Sequence, residues 1–401
     1  MTDYQKVARP RMDTGILGQT APPTAEALAR MQQSPYVWRA AGGALRRVAA
    51  ERVLLPADPT AHPQNVHLFK GADAAIYVRQ NQILCKSIDG GRSWTSRPVE
   101  GMAGACAVLR DGSLLRVHAE EDRSAARVLR SDDEAETWTE IATFALPAGY
   151  AGGSAYGITH LADGGLLCDI KVEDSQYGIA ADTRGQELRL LSGLARLLAY
   201  RSMDGGRTWE GPAPIVEFSG EGGIAALASG RLLAVKRHQR GLLPAESVEL
   251  LDEFGVNEVF ARLGKLPNRI FKNIVLADSD DGGKSWHNQR LLTTVFGQCF
   301  GFPAAQSDGT VAVVHDTRYG PGPDCARALI SRDEGQTWEN EAYYLFYGTG
   351  ASGYSHSTVL ADDTILTVCG TSDYTEGDAR KWHNWTGHAQ FTALRWKPVK
   401  D

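Results

Sequence analysis

The residues of this chain that could do chemistry fall in short polar runs where apolar strand patterns end. His118 comes just before Glu120 and Glu121, and Lys171 just before Glu173 and Asp174. Lys236, Arg237 and His238 stand together, and His315-Asp316 leads to Arg318. A second set stands where apolar runs begin: Tyr156, Glu221 between two glycines, and Tyr354 with His356 in Gly353-Tyr-Ser-His356. A tyrosine beside a carboxylate can lose its proton and become a nucleophile. Arginine and lysine can hold a substrate carboxylate, arginine by two parallel bonds. Histidines and carboxylates can carry protons to or from a reacting group. These groups are scattered over more than half the chain, so any joint chemistry depends on a fold that gathers them.

The elements that must do so are strand–turn–strand units. Ala107 to Val117 turns at Asp111-Gly112, Ile158 to Cys168 at Asp163-Gly164, and Ile224 to Val235 at Ser229-Gly230. Ala304 to Val314 and Val359 to Val368 repeat the pattern, and Val66 to Val78 is a weaker copy turning at Gly71-Ala-Asp73. Turn residues between two β-prone runs signal hairpins. The start of the first strand and the end of the second meet at one end of each hairpin. If the hairpins converge, the polar runs surround a single mouth, where a rigid scaffold carries functional loops.

Between the hairpins lies a second repeat. Ser87-Ile-Asp-Gly-Gly-Arg-Ser-Trp94 recurs as Ser131 to Trp138, Ser202 to Trp209, Ser279 to Trp286 and Ser331 to Trp338. Each copy keeps Ser first, Asp third, Ser or Thr seventh and Trp eighth, a periodicity that marks an array of similar units. The pattern S-x-D-x-G-x-[ST]-W resembles the Asp box, or BNR repeat, of sialidases and related β-propellers. That resemblance implies an all-β, six-bladed propeller over 36–401, preceded by an extension over 1–35. In it Asp89, Asp133, Asp204, Asp281 and Asp333 are structural turn residues on the rim. The sixth hairpin has no octapeptide after it and ends in Ala389 to Trp396, so Leu45 to Leu55 is expected to supply the missing outer strand and close the ring, which removes exposed edges. Insertions cover about 175–194 and 242–265. Ser247 to Leu263 has the apolar spacing of an amphipathic helix, either a lid or a subunit contact, and Ala25 to Gln32 is expected to form another.

The resemblance extends to single residues. In sialidases a Glu starts one inner strand and an Arg ends the next, and Glu221 and Arg237 hold those places. The family's nucleophile is a Tyr in a Tyr-Ser context, which Tyr354 matches. The resemblance thus implies Tyr354 attacking an anomeric carbon, with Glu221 as its base. Arg237 and Arg318 would clamp the carboxylate of a terminal acidic sugar; Arg327 is an alternative to Arg318. Tyr156, Lys171, His118, His238 and His356 are expected around the substrate, and His315 and Asp316 are further proton-transfer candidates. Trp382-His-Asn-Trp385 is expected to stack on sugar or to plug the seam between blades. The sequence departs from the family at Ala61-His-Pro-Gln-Asn-Val66, which lacks the first arginine, and at Val368-Cys-Gly370, which lacks a usual Glu. No general-acid Asp follows the first hairpin. The four histidines near the mouth fit a second reading, a lyase or rhamnosidase acting on uronate-linked sugars. A non-catalytic glycan-binding propeller is a third.

Composition bounds the partners. The chain has 401 residues and a net charge of −6, which disfavours nucleic acid because phosphate binding needs a basic face. The amino-terminal stretch has no apolar signal core and no segment reaches transmembrane length. The six cysteines lack metal spacing and read as buried free thiols, which points to the cytoplasm; a secreted form already stripped of its signal would read the same. No cofactor is expected, while a structural Ca²⁺ on the axis is compatible with the fold. The partner is expected to be an acidic oligosaccharide, with a homo-oligomer through the helical insertions.

Overall fold

The computed structural model describes residues 35–42, 44–62, 66–71, 75–100, 102–119, 124–148, 150–174, 195–240, 271–293, 297–317, 325–347, 354–371 and 390–400, with 5–6, 179–181, 187–189, 249 and 252. The elements formed by these residues are all strands. Three antiparallel four-stranded sheets follow in chain order. The first holds His67–Lys70, Ile76–Arg79, Ile83–Ser87 and Thr95–Pro98; the second Ala105–Val108, Leu114–Ala119, Ala125–Ser131 and Thr139–Ala145; the third Tyr150–His160, Leu166–Asp174, Arg196–Ser202 and Glu210–Glu217. A fourth comprises Ser219–Ala226, Leu232–Arg240, Phe271–Ser279 and His287–Leu291, with Gln5–Lys6 added in parallel on its outer edge.

The remaining strands form one nine-stranded sheet, which runs from Gln298–Ala305 through Val311–Thr317, Cys325–Ser331 and Glu341–Tyr347 to Tyr36–Ala41 and Ala44–Leu54. It then continues through Gln390–Trp396 and Ile365–Thr371 to Ser355–Val359. The amino-terminal strand does supply the closing outer strand: Leu54 pairs with Thr392 and Ala50 with Trp396. The neighbouring strand Tyr36–Ala41, absent from the sequence reading, extends the seam by pairing with Glu341–Tyr347. A buried ion pair, Arg39 Nε with Glu341 Oε2, fixes that junction, and Arg332 reaches the other oxygen of Glu341 at 3.0 Å.

The first strands of the units touch in cyclic order, from His67–Lys70 round to Ser355–Val359 and back. They enclose a common axial cavity of about 320 Å³, so the sheets stand like propeller vanes around an axis. Apolar side chains fill the gaps between neighbouring sheets, as where Leu167 and Leu197 pack with Leu232, Ala234 and Val275. Each such buried leucine or valine contributes roughly 1.5–3 kcal/mol.

The five octapeptides make one hydrogen-bond pattern. In the third copy Asp204 Oδ1 accepts from the Thr208 amide at 2.9 Å and Oδ2 from the Thr208 hydroxyl at 2.7 Å, while Ser202 Oγ accepts from the Gly206 amide at 2.9 Å. The same bonds recur around Asp89, Asp133, Asp281 and Asp333. Cys85, Cys106, Cys168, Cys299 and Cys369 are free and buried. The helix expected at Ala25 to Gln32 lies outside the described residues, as do the one expected at Ser247 to Leu263 apart from Glu249 and Asp252, most of the 175–194 insertion, the Trp382 to Trp385 cluster and Arg318.

Candidate functional site

Irregularities in the first strands aim side chains at the mouth of the ring. The pairing of Ser219–Ala226 slips between Ser219 and Gly222, so Glu221 sits in a bulge. Bulges re-aim side chains and gather at such sites. Gly222 has φ +132°, and a Cβ added there would collide with the Val235 carbonyl oxygen, so only glycine serves. The pairing of Gln298–Ala305 slips likewise between Cys299 and Phe302, with Phe300 at φ +56°. Glu221, Phe300 and Tyr354 stand equally far ahead of their hairpin turns, at Leu227, Gln306 and Leu360. Three neighbouring units thus present an acid, an aromatic wall and a phenol at one level.

The Tyr354 hydroxyl donates to Glu221 Oε1 at 2.9 Å and accepts from Arg237 Nη1 at 3.1 Å. An ion pair between Arg237 Nη1 and Glu221 Oε2 closes the triangle. Arg237 is 8% exposed and Glu221 24%, so the carboxylate faces the opening and the guanidinium lies beneath it. Burial disfavours the Arg237 charge, but Glu221 and, less strongly, Cys299 and Tyr354 outweigh it and raise the guanidinium pKa well above its usual value. The Phe300 ring lies 4.2 Å from the Tyr354 ring, tilted by 35°. Tyr156, Lys171, Phe218 and Gln239 line a recess with Glu221 and Arg237. The Lys171 stem runs against Gly220, where an added Cβ would come within 2.8 Å of its Cδ.

Chemically, the triangle holds a phenol with a proton acceptor on one side and a fixed positive charge on the other. The carboxylate can take the phenolic proton, and the guanidinium stabilises the phenolate left behind. That is the arrangement of an activated oxygen nucleophile.

Beneath the triangle, Lys236 and Asp169 form a fully buried ion pair at 2.8 Å, and Lys236 Nζ also donates to the Gly222 carbonyl at 2.9 Å. Burial raises the Asp169 pKa and lowers that of Lys236, and their mutual attraction opposes both shifts. His356 packs against Phe302 at 4.5 Å, Phe300 at 5.9 Å and His67 at 5.2 Å between ring centroids. Burial, aided by the charges of Arg79 and Lys236, drops the His356 pKa to about 3. Burial lowers His67 well below the usual histidine range, with Arg79 and His356 adding to the effect. His67 and Asp169 escaped the sequence reading. A lone Asp inside the apolar run Leu166-Leu-Cys-Asp-Ile170 was the available signal for the second.

The structure therefore joins Tyr354, Glu221 and Arg237 directly and sets Tyr156 and Lys171 at their side. It places the other candidates differently. His356 lies behind the Phe300 and Phe302 rings. His238 is 2% exposed, edge-on to Phe218 at 6.1 Å, and burial then Arg240 lower its pKa to about 3. His315 and Asp316 are 1% and 0% exposed on the second strand of the next unit, with His315 Nδ1 2.9 Å from the Asp316 carbonyl oxygen. Arg327 is buried opposite His315, over the Tyr344 ring at 5.0 Å. His118 pairs in register with Arg127 in the second sheet. The bonds of the triangle run through none of these. Among the described residues, no three His, Cys, Asp or Glu side chains are grouped to hold a metal ion.

No family model matches the chain, and no curated protein matches it. Solved structures do share its fold. A protein of unknown function from Dyadobacter fermentans superposes with a TM-score of 0.56 at 15% identity, over 86% of this chain and 98% of that one. A Hadza microbial sialidase gives 0.52 at 14% identity, over 82% of this chain and 65% of its own. An alpha-L-arabinanase from Penicillium chrysogenum, complexed with arabinobiose, gives 0.52 at 12% identity, over 88% and 99%. At these identities the likeness is one of fold.

Proposed function

We propose that this chain is a glycoside hydrolase built on a six-bladed, Asp-box propeller of the sialidase type, acting on a terminal acidic sugar. The observation that carries the reading is the triangle of Tyr354, Glu221 and Arg237, assembled from two units and buried on its cationic side. Glu221 accepts the phenolic proton as the Tyr354 oxygen attacks the anomeric carbon, the glycosidic bond breaks and the leaving oxygen takes a proton from solvent, while Arg237 balances the charge that develops on the phenol. Water then releases the sugar from Tyr354, so two displacements leave the anomeric configuration retained. Support for an acidic sugar comes from the recess, whose described lining residues include two cations, Lys171 and Arg237, against the one carboxylate of Glu221. The sialidase and arabinanase of like fold are both glycosidases by name, which supports the same broad chemistry. The scheme requires no cofactor.

The histidine-centred lyase reading gains nothing from the geometry, because His356 and His238 are buried away from the triangle and held neutral by their surroundings. The test is product analysis on a panel of sialosides, uronosides and arabinosides. Release of a free reducing sugar with retained configuration supports the proposal. An unsaturated product absorbing near 235 nm would replace it with a lyase. Binding without turnover would replace it with a glycan-binding propeller.

A further inference from the structure

The buried pair of Lys236 and Asp169 has no part in the proposed reaction, yet its placement is costly. Each charge loses its hydration, and a buried ion pair is commonly no more stabilising than well-packed apolar residues of the same volume. Here both side chains are 0–1% exposed. The third member of the contact suggests what the pair does. Lys236 Nζ donates at 2.9 Å to the carbonyl oxygen of Gly222, the residue that follows Glu221 and ends its bulge.

A bulge interrupts the ladder, so its backbone acceptors need partners from outside the ladder. Packing cannot hold this one, because Gly222 has no side chain and an added Cβ would meet the Val235 carbonyl and, at 2.9 Å, the Gly301 carbonyl. A polar peg remains, and it is anchored from a different unit: Asp169 lies on Leu166–Asp174, Lys236 on Leu232–Arg240. Arg237, next along the strand from Lys236, grips the Glu221 carboxylate. Two adjacent residues of one strand thus hold the bulge, one by the carbonyl of Gly222 and the other by the side chain of Glu221.

We propose that Lys236 and Asp169 are positioning residues that set Glu221 against Tyr354 by pinning the Gly222 carbonyl. The inference rests on the reading of Tyr354 and Glu221 as the reacting pair. Loss of the peg lets the bulge relax, and misplacement of a reacting group by about 1 Å costs roughly 100-fold in rate.

The experiment uses the full chain as Lys236→Met/Asp169→Asn, a neutral pair of similar shape that leaves no lone buried charge. Tyrosines carry ¹³C at Cζ, and Tyr354→Phe identifies the Tyr354 signal. The double variant is expected to lose about 10- to 100-fold in kcat with KM within about threefold of wild type, and its Tyr354 signal is expected to move. Wild-type kcat with an unmoved Tyr354 signal would overturn the proposal and leave the pair as a link between units. Should the double variant not fold, Asp169→Glu carries the test: it keeps both charges but shifts the anchor of the Lys236 amine by one methylene, so a several-fold loss of kcat at constant KM supports the proposal and wild-type kcat overturns it. If the wild-type protein turns over no substrate on the panel, the hydrolase reading falls and the Tyr354 signal alone decides the positioning claim.

Discussion

Mild acid should destabilise this protein, and much of the effect follows from three histidines. His67, His238 and His356 are 8%, 2% and 6% exposed. Burial holds His238 and His356 at a pKa of about 3 and His67 well below 6.5. An unfolded histidine titrates near 6.5. Between that value and the folded one, the unfolded chain binds more protons, so stability falls as pH falls through this window. From pH 7 to pH 5 His238 and His356 each remove about 2 kcal/mol, together about 4 kcal/mol, and His67 adds to the loss in the same direction. A typical domain has about 5–15 kcal/mol to lose. Asp169, whose carboxyl burial raises, works in the opposite direction as pH falls. Carboxylates held low, such as Asp89 and Asp281, give up their contribution only in stronger acid. Urea unfolding at pH 7, 6 and 5 measures the slope, and His356→Gln should flatten it by about one proton. A total loss below about 1 kcal/mol between pH 7 and 5 would show that these rings are not held neutral as described.

Other perturbations separate the forces in the ring. Gly283→Ala places a Cβ into Leu167 at φ +90°, whereas Gly112→Ala, at φ +86°, meets nothing within 4 Å. The first should cost at least about 2 kcal/mol and the second about 1 kcal/mol in urea unfolding, because both strain the backbone and only the first also overpacks; equal losses would contradict the packing assigned to the octapeptide. Removing residues 1–54 strips the partner from Gln390–Trp396 and from Glu341–Tyr347. Two edges are then open, and size-exclusion chromatography is expected to show aggregation; a stable monomer would contradict the closure.

Local chemistry made much of this fold legible. Turn residues punctuate the hairpins, and the Ser, Asp and hydroxyl spacing of the octapeptides matches the hydrogen bonds they form. The turns also fix the phase of each strand, which is why Glu221 and Tyr354, equally far from their turns, arrive at one level. Adjacency in sequence was a poorer guide. Neighbours along a strand point to opposite faces, so His238 turns toward Phe218 while Arg237 reaches the triangle. The histidines looked like a cluster because residues at strand ends were counted without regard to facing. Tyr36–Ala41 was missed because this six-residue strand, though it forms a tight hairpin with Ala44–Leu54, lies outside the repeat and carries no periodic signal. The buried pair was missed because its members lie on different units, and only the Asp in an apolar run hinted at it.

The most direct test of the central claim is turnover by Tyr354→Phe beside wild type, on whichever glycoside of the panel the wild-type protein cleaves. The exchange removes one oxygen that bonds Glu221 and Arg237 and leaves their ion pair intact, so folding stability should change by only about 1 kcal/mol. Turnover should fall by at least about 1000-fold, close to 4 kcal/mol of transition-state stabilisation, while binding of the same glycoside persists. Cleavage by the folded variant at the wild-type rate would contradict the assignment of the phenol as nucleophile.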